Sequence, residues 1–229
     1  MKTFILLLAT FGFGAIGFID DFRKLILKRS LGLTAKQKII LQVALSFLIA
    51  ILCFIFQNDT ITKLWIPFTD IRLNVSILGI PIMMFIMIGT SNAVNLTDGL
   101  DGLSTQVSIP VFLTFIILSQ NIEDELFASI MLGSVLGFLF YNSNPASVFM
   151  GDTGSMAIGG AVVGLAINMG MTLFLIILGG VYVAEALSVI IQVASYKFRN
   201  KKRIFLMTPI HHHYELKGYK EPQIVTAFA

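Results

Sequence analysis

The residues able to do chemistry stand in four short stretches. "GFIDDFRK" holds Asp20 and Asp21 beside Lys24, "NLTDGLDG" holds Asp98 and Asp101, "MGDTGS" holds Asp152, and "PIHHHYE" holds His211, His212, His213 and Glu215. Several carboxylates at one polar mouth suit a hard cation, and Mg²⁺ prefers oxygen ligands and keeps waters for substrate phosphates. Lys24, Lys28, Lys36 and Lys38 lie close enough in sequence to serve phosphate oxygens. Metal, base and cations together are the equipment of phosphoryl transfer, where charge stabilisation dominates. The glycines around Asp152, just ahead of a helix, add N–H groups that can meet a diphosphate. A Zn²⁺ site is disfavoured, because no cysteine lies near the histidines and adjacent histidines cannot easily all reach one ion. Taken singly, each stretch also has an ordinary explanation as interface charge, turn or helix cap.

The elements that would carry these residues are apolar. Of 229 residues, 56% are hydrophobic and only 13% charged, with a mean hydropathy of +0.86, whereas soluble domains run near a quarter charged. This composition predicts an all-α polytopic membrane protein, one domain over residues 1–229. A transmembrane barrel is excluded because the apolar runs are continuous rather than alternating. The lone cysteine, Cys53, permits no intrachain disulfide. Seven apolar segments are expected, at 3–19, 39–57, 76–94, 105–119, 125–141, 155–169 and 171–196. The first is a retained helix rather than a signal peptide. The last contains Gly179, Gly180 and Glu185, which predicts a broken or strongly tilted helix with Glu185 satisfying freed backbone groups or lining the cavity. The "GAVVG" run at 160–164 fits close helix packing.

Charge sets the orientation. Arg23, Lys24, Lys28, Arg29, Lys36 and Lys38 lie in the first loop, and Lys197, Arg199, Lys201, Lys202, Arg203, Lys217 and Lys220 follow the seventh segment. Only Lys2, Lys63 and Arg72 remain for the other side, so the positive-inside rule makes the first side cytoplasmic. Trp65 and Phe68 suit the outer interface. Alternation of the spans then brings all four chemical stretches to the cytoplasmic face. Carboxylates at that depth are costly to desolvate and usually mark a site.

The blocks "GFIDDFRK", "GTSNAVNLTDGLDGL", "NSNPASVFMGDTGSMAIGG" and "PIHHHYELKG" resemble, in order and over essentially the whole chain, the signature blocks of the polyprenyl-phosphate N-acetylhexosamine-1-phosphate transferases. "HHHYE" is similar to the branch that handles phospho-MurNAc-pentapeptide; relatives using UDP-N-acetylglucosamine tend to carry an "HxHH" pattern. The resemblance implies transfer of phospho-MurNAc-pentapeptide from its UDP carrier to undecaprenyl phosphate, giving lipid I and UMP with Mg²⁺, in a bacterial plasma membrane. It further implies Asp152 as a metal ligand with Asp98 beside it, and Asp20 and Asp21 at the reacting phosphates, Asp20 as a candidate base. Asp98, Asp101, Asn92 and Asn95 would shape the nucleotide and metal pocket. Asn142 and Phe149 would hold uridine, Lys24, Lys28 and Lys36 the phosphates, and His211, His212 and His213 the sugar-phosphate portion. A homodimer is compatible with this reading, and no nucleic-acid partner is expected.

Members of that family have ten spans, so two helices at the start and one at the end are expected to be missing. Residues 211–229 are then expected to be an untethered tail, and the chain alone to have at most trace activity. The alternatives are the N-acetylglucosamine branch, an ion-coupled transporter and a non-catalytic scaffold. A transporter predicts midplane charges and repeated halves; only Glu185 lies mid-span and no internal repeat is visible.

Overall fold

The computed structural model describes residues 1–28 and 31–229; Arg29, counted above among the basic residues, lies outside them. Helix α1 (Lys2–Leu27) ends where Lys28 turns left-handed and its N–H returns to Leu25 and Lys24. Helix α2 (Ala35–Phe56) starts at a capping box in which Thr34 and Gln37 each take the other's backbone N–H, satisfying two donors that a helix start leaves unpaired. After α2 follow the short α3 (Asn58–Thr62) and an antiparallel hairpin, β1 (Lys63–Trp65) with β2 (Arg72–Asn74), in which Trp65 opposes Arg72. The remaining helices are α4 (Gly79–Thr97), α5 (Leu103–Leu118), α6 (Ile122–Asn142), α7 (Gly151–Asn168), α8 (Leu175–Leu178), α9 (Gly180–Phe198), α10 (Ile210–Leu216) and α11 (Glu221–Phe228).

Each of the seven expected segments holds a helix. Five are long and apolar enough to cross a membrane, namely α1, α2, α4 with its preceding turn, α6 and α9, and α5 is shorter. Their outward faces carry Phe11, Phe85, Ile117 and Phe140, all at least 70% exposed, as a lipid-facing surface requires. The chain is a multi-pass, all-α membrane protein. The expected break falls at Gly179, which separates α8 from α9.

Helix α7 is different, because almost every residue from Ser155 to Asn168 is buried. It forms the axis of the bundle, and small residues let α1 approach it. A Cβ on Gly160 would stand 2.4 Å from the Ala9 carbonyl oxygen, and one on Gly17 would stand 2.1 Å from the Asp152 carbonyl oxygen. The sequence run at 160–164 therefore serves the close packing expected of it. At the C-terminal end of this axis, the Asn168 amide donates to Asp124 (3.1 Å) and to the Lys2 carbonyl (3.1 Å), tying α7 to α6 and α1.

The expectation of an untethered tail is overturned. After α9 the chain turns back and descends along it. His211 is wholly buried, Ile224 and Val225 are buried, and Glu221 accepts from the Asp101 amide and from Asn144. The anchors are polar residues far away in sequence, which no local pattern exposes.

Candidate active site

One end of the bundle is built around the last turns of α1. Asp20, Asp21 and Lys24 share one face there because residues three and four apart on a helix are neighbours. Lys24 Nζ stands 2.6 Å from Asp20, 3.3 Å from Asp21 and 3.3 Å from Asp152, the last reaching in from the first turn of α7. Asp20 is 3% exposed and its other oxygen accepts from the Leu33 amide at 2.8 Å. Asp21 accepts from the Thr153 amide (2.8 Å) and hydroxyl (2.7 Å). These bonds lock the end of α1 onto the start of α7, where a helix N-terminus also favours negative charge.

Two further helices complete the ring. Lys38, from the first turns of α2, meets Asp152 at 2.9 Å. Asn95, from the last turn of α4, donates to Asp152 (2.8 Å) and to Ser155 (2.9 Å). Asp20, Asp21 and Asp152 each offer an oxygen, and these oxygens lie within 4.8 Å of one another. The Lys24 ammonium among them shows that all three point at one cation-sized place. The donor set, hard carboxylate oxygen throughout, fits Mg²⁺.

Asp98 follows the end of α4, beside this triad rather than in it. Burial pushes its carboxyl up to about 7, the nearby charges of Asp152 and Asp21 push the same way, and the Gly151 amide opposes them.

Several other candidates make contacts within the bundle. Asn92 exchanges two hydrogen bonds with Gln42, at 2.9 and 3.2 Å, clamping α4 to α2. Asn142 is buried, accepting from Thr105 (2.7 Å) and donating to the Val148 carbonyl (3.0 Å). Asp101 accepts from the Ala146 amide at 2.8 Å and so fixes the 143–148 loop, beyond which Phe149 stands 76% exposed. Lys28 and Lys36 point into solvent. His211 packs inside the bundle against Glu185, whereas His212 and His213 are only half-buried.

Lys38 was counted among the lysines able to serve phosphates but stood outside the set the resemblance implied, and sequence reasoning missed Thr153 and Glu221. The signal for Lys38 was present: the capping box at Thr34 fixes the helix register. Residues two apart on a helix face nearly opposite ways, so Lys36 and Lys38 cannot both turn inward.

Residues 3–170 match the model of glycosyl transferase family 4. Several curated relatives bear the name phospho-N-acetylmuramoyl-pentapeptide-transferase. The one from Clostridioides difficile is 53% identical over 221 residues, covering 95% of this chain and 68% of the relative. Those from Halalkalibacterium halodurans and Anoxybacillus flavithermus are 48% and 46% identical, covering 100% and 99% of this chain and 70% of each relative. The chain belongs to glycosyl transferase family 4, and within it to the group that carries this transferase name.

Proposed function

We propose that this chain transfers phospho-MurNAc-pentapeptide from UDP-MurNAc-pentapeptide to undecaprenyl phosphate, giving lipid I and UMP at the cytoplasmic face of a bacterial plasma membrane. The observation that carries the proposal is the convergence of Asp20, Asp21 and Asp152 on one place at the end of an apolar bundle. In the reaction, an oxygen of the lipid phosphate attacks the sugar-bearing phosphorus of the nucleotide. The new P–O bond forms the lipid diphosphate, and the old bridge bond breaks with its electron pair leaving on UMP.

Asp20, Asp21 and Asp152 would hold Mg²⁺, with Asp98 at its edge. Bound there, the ion supplies charge neutralisation for phosphate oxygens. Lys24 is then released from the carboxylates to meet a phosphate, and Lys38, anchored on Asp152, faces the same place. Both oxygens of Asp20 are engaged, by the Leu33 amide and by Lys24. Phe149, exposed beside the loop fixed by Asp101 and Asn142, offers a face for the uracil ring. His212 and His213, half-buried on α10, would hold the sugar-phosphate portion.

The test is UMP release with Mg²⁺ and undecaprenyl phosphate, by this chain and by a version extended at both ends, run with UDP-MurNAc-pentapeptide and with UDP-N-acetylglucosamine. Turnover with the first and little with the second is the expected result. The reverse preference would move the chain to the other branch, and turnover with neither would reject the proposal.

A further inference from the structure

Helix α9 carries a polar seam along one face. Ser195 donates to the Lys202 carbonyl at 2.9 Å. The Gln192 side chain accepts from the Ile204 amide (2.9 Å) and the Phe205 amide (3.0 Å), and donates to the Phe205 carbonyl at 2.8 Å. Glu185 is the deepest rung, with Oε2 3.4 Å from the His211 amide nitrogen and 3.0 Å from His211 Nδ1. Residues 185, 192 and 195 repeat at helical spacing, so the returning chain is zipped down α9 from Lys202 to His211.

The first two rungs are neutral and bond only backbone. The third is a carboxylate with no exposed surface, set within a membrane-spanning helix. A buried charge of this kind is expensive and is kept where a specific partner faces it. The partner is His211, also without exposed surface. Among the described residues, neither ring nitrogen of His211 nor Oε1 of Glu185 has a hydrogen-bond partner. The 3.0 Å approach is therefore a close polar contact rather than a directed hydrogen bond, and it is the polar contact that holds the ring.

On its other side the ring lies against the turn after α4. A Cβ on Gly99 would stand 2.2 Å from His211 Nε2, so only glycine leaves room there. His211 is thus held between Glu185 and the Asp98–Gly99 turn. His212 and His213 come next on α10, and His213 Nδ1 is tied back to the Leu206 amide at 3.1 Å.

Resting on the function proposed above, we propose that Glu185 is a positioning residue for the transfer: from inside the span it fixes His211 against the Asp98–Gly99 turn, and so sets where His212 and His213 meet the sugar nucleotide. It touches no reacting atom. Its removal loosens α10 and leaves the Asp20–Asp21–Asp152 triad as it is.

The experiment compares the full chain with Glu185→Ala and Glu185→Gln, measuring KM for UDP-MurNAc-pentapeptide, kcat, the Mg²⁺ concentration for half-activation, and hydrogen exchange over residues 206–216. Contacts made equally in ground and transition states appear in KM alone, so Glu185→Ala should raise KM about tenfold while kcat and the Mg²⁺ requirement stay within about twofold. Exchange over 206–216 should quicken. Glu185→Gln, which keeps an acceptor for the His211 amide, should fall between wild type and Ala.

If Glu185→Ala does not fold, the same split in Glu185→Gln decides the matter. Loss of kcat and of Mg²⁺ response together with KM would make Glu185 a general structural residue and overturn the inference. Unchanged KM and unchanged exchange would overturn it too. A wild type that turns over neither nucleotide rejects the proposed function instead, and the exchange comparison then still decides whether Glu185 holds the loop.

Discussion

The close approach of α1 to α7 can be tested with one methyl group. In Gly17→Ala the new Cβ would lie 2.1 Å from the Asp152 carbonyl oxygen, 2.4 Å from its carbon and 2.8 Å from the Thr153 nitrogen. All three are backbone atoms, so no side chain can swing away. Ordinary contact begins at 3.4 Å, so the first turn of α7 must retreat by about 1.3 Å, in a core too densely packed to absorb it silently. Asp152 and Thr153 move with it. Thr153 then loses its bonds of 2.7 and 2.8 Å to Asp21, and Asp152 leaves the reach of Lys24. A misplacement near 1 Å costs about 10²-fold in rate, and the overpacking itself costs about 1–3 kcal/mol of stability. The assay is initial UMP release with saturating Mg²⁺, with thermal unfolding followed in parallel. Gly17→Ala should remain folded and lose about 10²-fold in kcat. Gly12→Ala is the control, since its Cβ meets only the movable ends of Leu45 at 2.8 Å. More than about a third of wild-type rate in Gly17→Ala would refute the claim that this contact sets the geometry of the triad.

Lys38→Ala, which leaves Asp152 without its 2.9 Å partner, should lower kcat/KM by at least about tenfold, whereas Lys36→Ala should change it little; equal effects, read by UMP release, would mean the α2 register does not matter. Asp98 is held up to about 7, so it is protonated at pH 6 and ionised at pH 8; a cation at the triad favours the ionised form, and the Mg²⁺ concentration for half-activation should rise up to about tenfold per pH unit below 7. Asp98→Asn should flatten that dependence, and a slope that persists in the variant assigns it to another group. Asp101→Ala leaves the Ala146 amide without its 2.8 Å acceptor and should lower stability by about 1–3 kcal/mol, checked by thermal unfolding.

The membrane helices and the convergence of Asp20, Asp21 and Asp152 were legible because both rest on regularities that survive in one dimension. Hydropathy marks the spans, alternation assigns sides, and acids at helix ends then share a face. The break at Gly179 was legible for the same reason. What was not legible depends on distant partners. Nothing near Glu185 in sequence announces His211, and nothing near Glu221 announces Asp101, so the tail looked free. Asn92 and Asn142 show the converse: polar residues within site-like blocks whose amides are spent on Gln42, Thr105 and the Val148 carbonyl. Lys38 was a register problem, which the cap at Thr34 could have solved.

Helix α7 has a consequence for how the protein reaches its membrane. It is not among the helices apolar enough to cross alone, and it begins with Asp152 and ends with Asn168, both polar. Such a segment partitions weakly from the insertion machinery into lipid. Its sides are finished by protein rather than by acyl chains, so α1 and α4, already in place when it is synthesised, must act as its solvent. The glycines that let Ala9 and Ser91 approach its backbone are then also a retention device during biogenesis. Defects in that seam should surface as chains whose later spans are threaded the wrong way and cleared by membrane proteases, before any loss of catalysis could be measured.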